Sequence, residues 1–267
     1  MHRDLANFSA EDIKRSIPHV VDGLKPSQRK VIYACLKKNL TSDMKVAQLS
    51  GYVAEQTQYH HGEQSLQGTI IGLAQNFTGS NNLNLLEPSG QFGTRLMGGK
   101  DAASPRYIFT RLNSQTRAIF DSRDDPILEY EIEDGDKVEP KFYVPVLPMV
   151  LVNGAEGIGT GFSCNIPPYN PVDIKENLMR MMRGEAPVSM KPYWRGFTGE
   201  VERLNQALLG TRQDIQKIRD QVSAAMGAAE AGLFEAHLLV LEDSTLLNEV
   251  LRKIRTERAS VDFEIPG

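Results

Sequence analysis

The sequence predicts an α+β fold, and three observations carry that prediction. Apolar residues recur at helical spacing in three short stretches between residues 26 and 77. From residue 79 to about 166 the chain changes to short apolar runs broken by Gly and Pro, the punctuation of β segments and turns. Beyond residue 200 a longer helical periodicity returns. With 267 residues, 40% hydrophobic and 24% charged, the chain has room for one large domain or two ordinary ones and a real core.

The elements follow in order. MHRDLANFSAEDIKRS is polar and lacks the apolar centre of a signal peptide. DGLKPSQRKVIYACLKKN reads as a turn and then a helix. Pro26 suits its first turn, and Val31, Ile32, Cys35 and Leu36 fall at helical spacing. KVAQLSGYVAEQ gives a second short helix. GEQSLQGTIIGLAQNF gives a third, with Leu66, Ile70, Ile71, Leu73, Ala74 and Phe77 as its buried stripe. Residues 79 to 104 are rich in turn formers, and Gly90, Gly93, Gly98 and Gly99 permit close backbone approach. RYIFTRL reads as a strand. Strict alternation puts Tyr107 and Phe109 on one face and Arg106 and Ile108 on the other.

ILEYEIEDGDKVEPKFYVPVLPMVLVNGAEGIGTGFS supplies several β segments. NPVDIKENLMRMMRG is a helix of favourable polarity, with Asp173 early and Arg183 near its end. Residues 201 to 263 carry apolar positions at Val201, Leu204, Leu208, Ile215, Ile218 and Val222, and LFEAHLLVLEDSTLLNEVLRKIR repeats the theme. Two amphipathic helices about a Gly/Ala-rich joint predict a helical hairpin over 200–267. At the other end, three short helices with a basic exterior, then turns and strands, are consistent with a winged helix-turn-helix, one helix entering a DNA groove. The same pattern suits any other small helical core.

Charge narrows the partners. The net charge of −4 argues against a bulk polycation. Yet residues 14 to 45 hold eight Lys/Arg against two acids, which suits either a phosphate backbone or a solvated helix face. Residues 200 to 267 reverse the balance, eight against twelve. Two cysteines, Cys35 and Cys164, argue against a disulfide framework and for a reducing, intracellular setting. No apolar run approaches the ~18 residues of a membrane span, so no membrane partner is expected.

Several segments are distinctive as whole motifs: RSIPHVVDGLKPSQRK, KVAQLSGYVAEQTQYHHGE, AQNFTGSNNLNLLEPSGQFGTRLMGGKDAASPRYIFT and PVLPMVLVNGAEGIGTGFS. Collinear over residues 7 to 198, they resemble the DNA-gate part of eukaryotic-type and viral type IIA DNA topoisomerases. YHHGE and GSNNLNLL lie closer to that branch than to the bacterial gyrase pattern. The resemblance implies a winged-helix DNA-cleavage domain over 1–110 and a partial, β-rich tower domain over 111–199.

It also implies roles. Tyr107 matches the family's nucleophile, whose phenolic oxygen exchanges one phosphodiester for a 5′-phosphotyrosyl link and so conserves the bond energy. Considered alone, a tyrosine there is a strand aromatic. Arg106 matches the residue that stabilises the pentavalent transition state, since a guanidinium holds two phosphate oxygens at once. For both to act on one phosphate the backbone must bend, and Pro105 favours a bend. His61 matches a histidine beside the scissile phosphate, donating a hydrogen bond or relaying a proton. Arg15, Lys25, Arg29, Lys45, Tyr59 and Ser65 match positions that contact DNA or shape the gate, holding the backbone rather than reading bases. Ile158, in GAEGIGTG, matches an isoleucine that wedges between base pairs and bends the duplex. A nucleotide loop is rejected there because no strand–Gly-loop–helix context surrounds it.

No metal site is expected in this chain. HHGE lacks the spacing that puts two ligands on one helix face, and Asp134-Gly135-Asp136 reads as a solvated turn. The resemblance implies Mg²⁺ and ATP in the full enzyme, bound by metal-binding and ATPase domains expected elsewhere. It implies double-stranded DNA as partner, a homodimer, and a nuclear place if the source is eukaryotic. After KPYWRGFTGE the pattern is expected to stop, with a junction near 199 to 201. Residues 201 to 263 are similar instead to the N-terminal helical region of enzyme I of the bacterial sugar phosphotransferase system, with His237 as a helix-packing residue. Three functional readings follow: the DNA-breaking part of a topoisomerase, an idle DNA-binding module, and a helical protein-interaction module joined to a gate fragment.

Overall fold

The computed structural model describes residues 2–195, 213 and 215–221. The chain divides into two compact units, Met1–Arg195 and Gly196–Gly267. Of the second, Gln213 and residues 215 to 221 are helical. The remainder of the expected hairpin, His237 included, lies outside the described residues.

The first unit opens with α1 (His2–Ser16), a helix that the sequence pattern did not announce because its apolar positions are few. A loop leads to α2 (Pro26–Lys38), which starts on Pro26 at its first position and ends where Asn39 turns left-handed at φ 50°. The short β1 (Met44–Lys45) runs directly into α3 (Val46–Thr57), and α4 (Glu63–Ala74) follows. Next come β2 (Leu86–Ser89) and β3 (Phe109–Leu112), which pair antiparallel. β3 also pairs with β1, with Lys45 opposite Phe109, so the three strands lie in the order β1–β3–β2.

The predicted strand from Arg106 is shorter than expected. β3 starts only at Phe109, and residues 105 to 107 form a turn, so strict alternation does not apply to Arg106 and Tyr107. Phe77 likewise lies beyond the end of α4, while Leu66, Ile70, Leu73 and Ala74 form the buried stripe foreseen. The core is built from these residues with Val31, Ile32, Cys35, Leu49, Val53, Leu86 and Ile108. Each large aliphatic side chain buried this way contributes about 1.5–3 kcal/mol relative to exposure.

A short helix, α5 (Thr116–Ile119), leads through a 3₁₀ turn at Asp125–Ile127 to the hairpin β4 (Tyr130–Glu133) and β5 (Asp136–Pro140). Its turn is the Asp134-Gly135 pair, both at positive φ. Then come α6 (Met149–Val152), the hairpin β6 (Ala155–Gly159) and β7 (Phe162–Ile166), and α7 (Pro171–Met182). Asn170 caps α7, its side-chain oxygen accepting from the Val172 amide at 2.9 Å. Phe120, Tyr143, Met149 and Val152 join the same core as α2 to α4.

Asn82 stitches these later elements to the early ones. Its amide donates to the carbonyl oxygens of Val152, Tyr169 and Tyr193, and its oxygen accepts from the Arg195 amide at 2.7 Å. Both the amide nitrogen and the oxygen of that buried side chain are thereby hydrogen-bonded. Among the described residues no helix is long and apolar enough to cross a membrane.

Candidate functional site

The turn at residues 105–107 is built by its neighbours. α3 begins with amide hydrogens that no helical carbonyl can reach. Two of them go to this turn: Val46 donates to the Ile108 carbonyl at 3.0 Å and Ala47 to that of Pro105 at 3.1 Å. The Tyr107 amide closes the turn on Ser104 at 2.9 Å. Ile108 is buried in the core, while Tyr107 is 76% exposed and Arg106 is exposed beside it. The bend that a shared target requires is therefore present. Lys45 lies across the sheet from Phe109, its ammonium 5.9 Å from that ring.

A second group of candidates converges on a cleft of about 510 Å³. Arg15, Tyr59, His61 and Ser65 line it together with Lys30 and Glu133. The rings of Tyr59 and His61 meet edge to face at 5.4 Å. Tyr107 and Arg106 do not line this cleft. Ile158 stands apart on β6, opposite Ser163 on β7, and is 77% exposed. Lys25 precedes α2, half-buried, with its amide donating to the Gln28 side chain at 2.9 Å.

Of the two roles expected of Arg29, contacting DNA or shaping the gate, its surroundings suit the second. Its guanidinium is buried and grips both oxygens of Asp22, at 2.7 and 3.0 Å, and also donates to the Leu24 carbonyl. Asp22 is fully buried and accepts the amides of Leu24 and Tyr143 as well. Such a pair positions the loop before α2 and offers nothing to solvent.

Lys30 is held similarly, its ammonium donating to the Thr57 carbonyl at 2.7 Å and pairing with Glu139 at 3.0 Å. Burial pushes the Glu139 carboxyl up, and Lys30 offsets part of that. Of the eight early basic residues, these two are therefore neither phosphate-facing nor a solvated face. The residues that sequence reasoning missed are Asp22, Lys30 and Asp12. Asp12 and Lys30 take partners 148 and 109 positions away, which no local spacing could have flagged, whereas the seven-residue spacing of Asp22 and Arg29 was the one local signal.

Among the described residues, no group of three or more His, Cys, Asp or Glu could hold a metal ion. The side chains described thus do not form a cradle for Mg²⁺.

An exposed tyrosine stands beside an arginine on an anchored turn, Arg15, Tyr59, His61 and Ser65 share one cleft whose Lys30 is paired with Glu133 and Glu139, and an isoleucine projects from β6. The family model for the A-type subunit of DNA gyrase/topoisomerase IV matches residues 15–231, and the chain belongs to that family. It is 61% identical over 199 residues to DNA topoisomerase 2 of Bombyx mori, covering 74% of this chain and 13% of that protein. It is 56% identical over 222 residues to DNA topoisomerase 2 of Saccharomyces cerevisiae, covering 83% and 16%.

The chain therefore spans about one seventh of the length of these relatives. It also superposes on the crystal structure of the Plasmodium falciparum topoisomerase II DNA-binding, cleavage and re-ligation domain. The TM-score is 0.70 and the identity 57%, over 72% of this chain and 26% of that one. The mixed α/β fold is shared with that domain. The family match runs to residue 231, beyond the junction expected near 199 to 201. Nothing in the comparisons supports the likeness of residues 201–263 to enzyme I.

Proposed function

We propose that this chain supplies the DNA-breaking and rejoining part of a type IIA topoisomerase, with Tyr107 as its nucleophile. The observation that carries the reading is the turn: Tyr107 projects into solvent from a backbone fixed on both sides to α3. In the reaction the Tyr107 phenolic oxygen loses its proton and attacks a backbone phosphorus. The bond from phosphorus to the 3′ oxygen breaks, the 3′ oxygen takes up a proton, and a 5′-phosphotyrosyl link remains. Reversal reseals the strand without a new source of bond energy. Arg106, on the same turn, holds two of the phosphate oxygens as charge builds on them.

The other candidates serve the duplex. Arg15, Tyr59 and Ser65 line one cleft and grip the backbone there, His61 in the same cleft donates a hydrogen bond or relays a proton at the scissile phosphate, and Lys25 and Lys45 hold phosphates from their own positions. Ile158 enters a base step and bends the DNA. In this reading α2 to α4 with the β1–β3–β2 sheet form a winged helix, and residues 111–199 belong to a tower. Double-strand passage takes two copies of the chain, with Mg²⁺ and ATP held by domains outside it. Because the relatives named are eukaryotic, we extend the reading to the nucleus as compartment.

The test mixes this chain with a separately expressed fragment carrying the ATPase and metal-binding domains, nicked DNA and Mg²⁺, and stops the reaction with detergent. Protein attached to a DNA 5′ end, and lost in Tyr107→Phe, is the expected result. DNA binding without attachment, in a mixture that demonstrably forms a complex, contradicts the reading.

A further inference from the structure

A wedge that unstacks a base step works against a few kcal/mol, so the backbone that carries it must not yield. An isolated two-stranded hairpin is marginal in water and cannot resist alone. The β6–β7 hairpin is braced by α1. A Cβ added at Gly157 would strike the Ser16 carbonyl oxygen and would lie 3.0 Å from both the Ile17 Cα and the Pro18 Cδ. One added at Gly159 would lie 3.3 Å from the Ile13 Cα. The strand therefore lies flat on the backbone at the end of α1. Ile158, between the two glycines, takes the opposite face and projects outward.

One side chain fastens this arrangement. Asp12, a turn before the end of α1, accepts both the Thr160 amide, at 2.9 Å, and the Thr160 hydroxyl, at 2.8 Å. Thr160 is the first residue of the hairpin turn, two positions after Ile158. The other Asp12 oxygen accepts from Arg15 at 3.0 Å and from the Ser16 hydroxyl at 3.4 Å. The carboxylate is thus neutralised locally by an arginine of the DNA-facing set, so it does not repel phosphate.

We propose that Asp12 is a positioning residue for DNA bending, clamping the β6–β7 turn to α1 so that Ile158 stands rigid. The inference rests on the reading of Ile158 as the wedge. It separates two effects that a surface contact would merge. Removing Asp12 loosens the wedge, yet it also frees Arg15 for phosphate. Bending therefore falls while binding does not.

The experiment uses the intact chain and an end-labelled duplex of about 30 base pairs, with bending read by energy transfer between the ends. Ile158→Ala abolishes the bend. Asp12→Ala and Thr160→Val each lower the bent fraction by about threefold or more, with the duplex Kd no weaker than wild type at low salt. Thr160→Ser, which keeps the hydroxyl, restores bending, and the Asp12→Ala/Thr160→Val double variant is no worse than either single one.

Wild-type bending by Asp12→Ala, when Ile158→Ala fails to bend, overturns the clamp and leaves the wedge standing. Additive losses in the double variant also overturn it. Unchanged bending by Ile158→Ala, or a wild-type chain that binds without bending, removes the wedge and the clamp with it.

Discussion

Val46 donates its amide hydrogen to the Ile108 carbonyl at 3.0 Å, one residue past Tyr107. The start of a helix and the proposed nucleophile are thereby fixed together through backbone alone. The turn should owe its shape to Ile108 in the core and nothing to the tyrosine hydroxyl. Tyr107→Phe is expected to change stability by no more than about 0.5 kcal/mol, while Ile108→Ala costs about 2–5 kcal/mol. Urea denaturation of the two variants checks this, and a large loss in Tyr107→Phe would mean the side chain is structural.

Arg29 and Lys45 should part company in the same way. Truncating Arg29 to Ala deprives buried Asp22 of its ion-pair partner, at a cost of about 3–5 kcal/mol. Arg29→Lys does not restore the two-pronged grip. In the folded fraction, the salt dependence of duplex binding is unchanged by Arg29 substitution. Lys45→Ala, by contrast, reduces the slope by about one phosphate contact. Salt titrations of binding distinguish the two, and an equal fall in slope for Arg29→Gln, measured on its folded fraction, would restore the direct contact.

How much of this could be read in advance depended on the range of the forces involved. α2, α3 and α4 were legible because each buries a stripe at helical spacing, α7 was legible from the polarity of its charges, and Pro26 and Asn170 mark starts that local chemistry dictates. α1 was not, because a helix braced by a distant hairpin needs no apolar stripe of its own. The Tyr107 turn was half legible. The sequence signalled a conflict between alternation and a shared target, and the structure removes the strand at that point. Arg29 was ambiguous for the opposite reason: an arginine in a basic stretch suits a phosphate contact or a place in the gate until its buried carboxylate is located. Exposure of Ile158 and convergence of Arg15, Tyr59, His61 and Ser65 on one cleft are consequences of packing that spacing alone does not convey.

The two thiols should differ sharply in reactivity. Cys35 is buried within α2, and burial pushes its thiol up to about 12, so almost no thiolate forms near neutral pH. Cys164, on β7, is partly exposed. A maleimide reagent at pH 8 is expected to label Cys164 in the native protein and Cys35 only after denaturation. Equal native labelling rates would contradict the packing around α2.

Acid should weaken the fold in a defined window. Hydrogen bonds from the Arg123 side chain and amide hold Asp121 at about 2, against an ordinary 3.8. Hydrogen bonds from the Thr160 hydroxyl, Arg15 and the Thr160 amide lower Asp12, and the Thr94 amide and hydroxyl lower Asp101. A carboxyl whose folded value is depressed contributes stability above its unfolded value, and that contribution is lost as pH falls through the folded value. Glu139, raised by burial, acts with the opposite sign, and its contribution is lost as pH rises past its folded value. The urea midpoint should therefore drop between about pH 4 and about pH 2. A flat profile there would contradict the hydrogen bonds around these carboxylates.

If Tyr107 is the nucleophile proposed above, the broken DNA must be found on its phenolic oxygen. The most direct measurement digests the covalent complex, formed with the ATPase and metal-binding domains supplied separately, and locates the nucleotide adduct by mass spectrometry. A 5′-phosphoryl nucleotide is expected on the peptide containing Arg106 and Tyr107, with fragmentation assigning it to the Tyr107 oxygen. An adduct on any other residue, or on the 3′ side of the break, would contradict it.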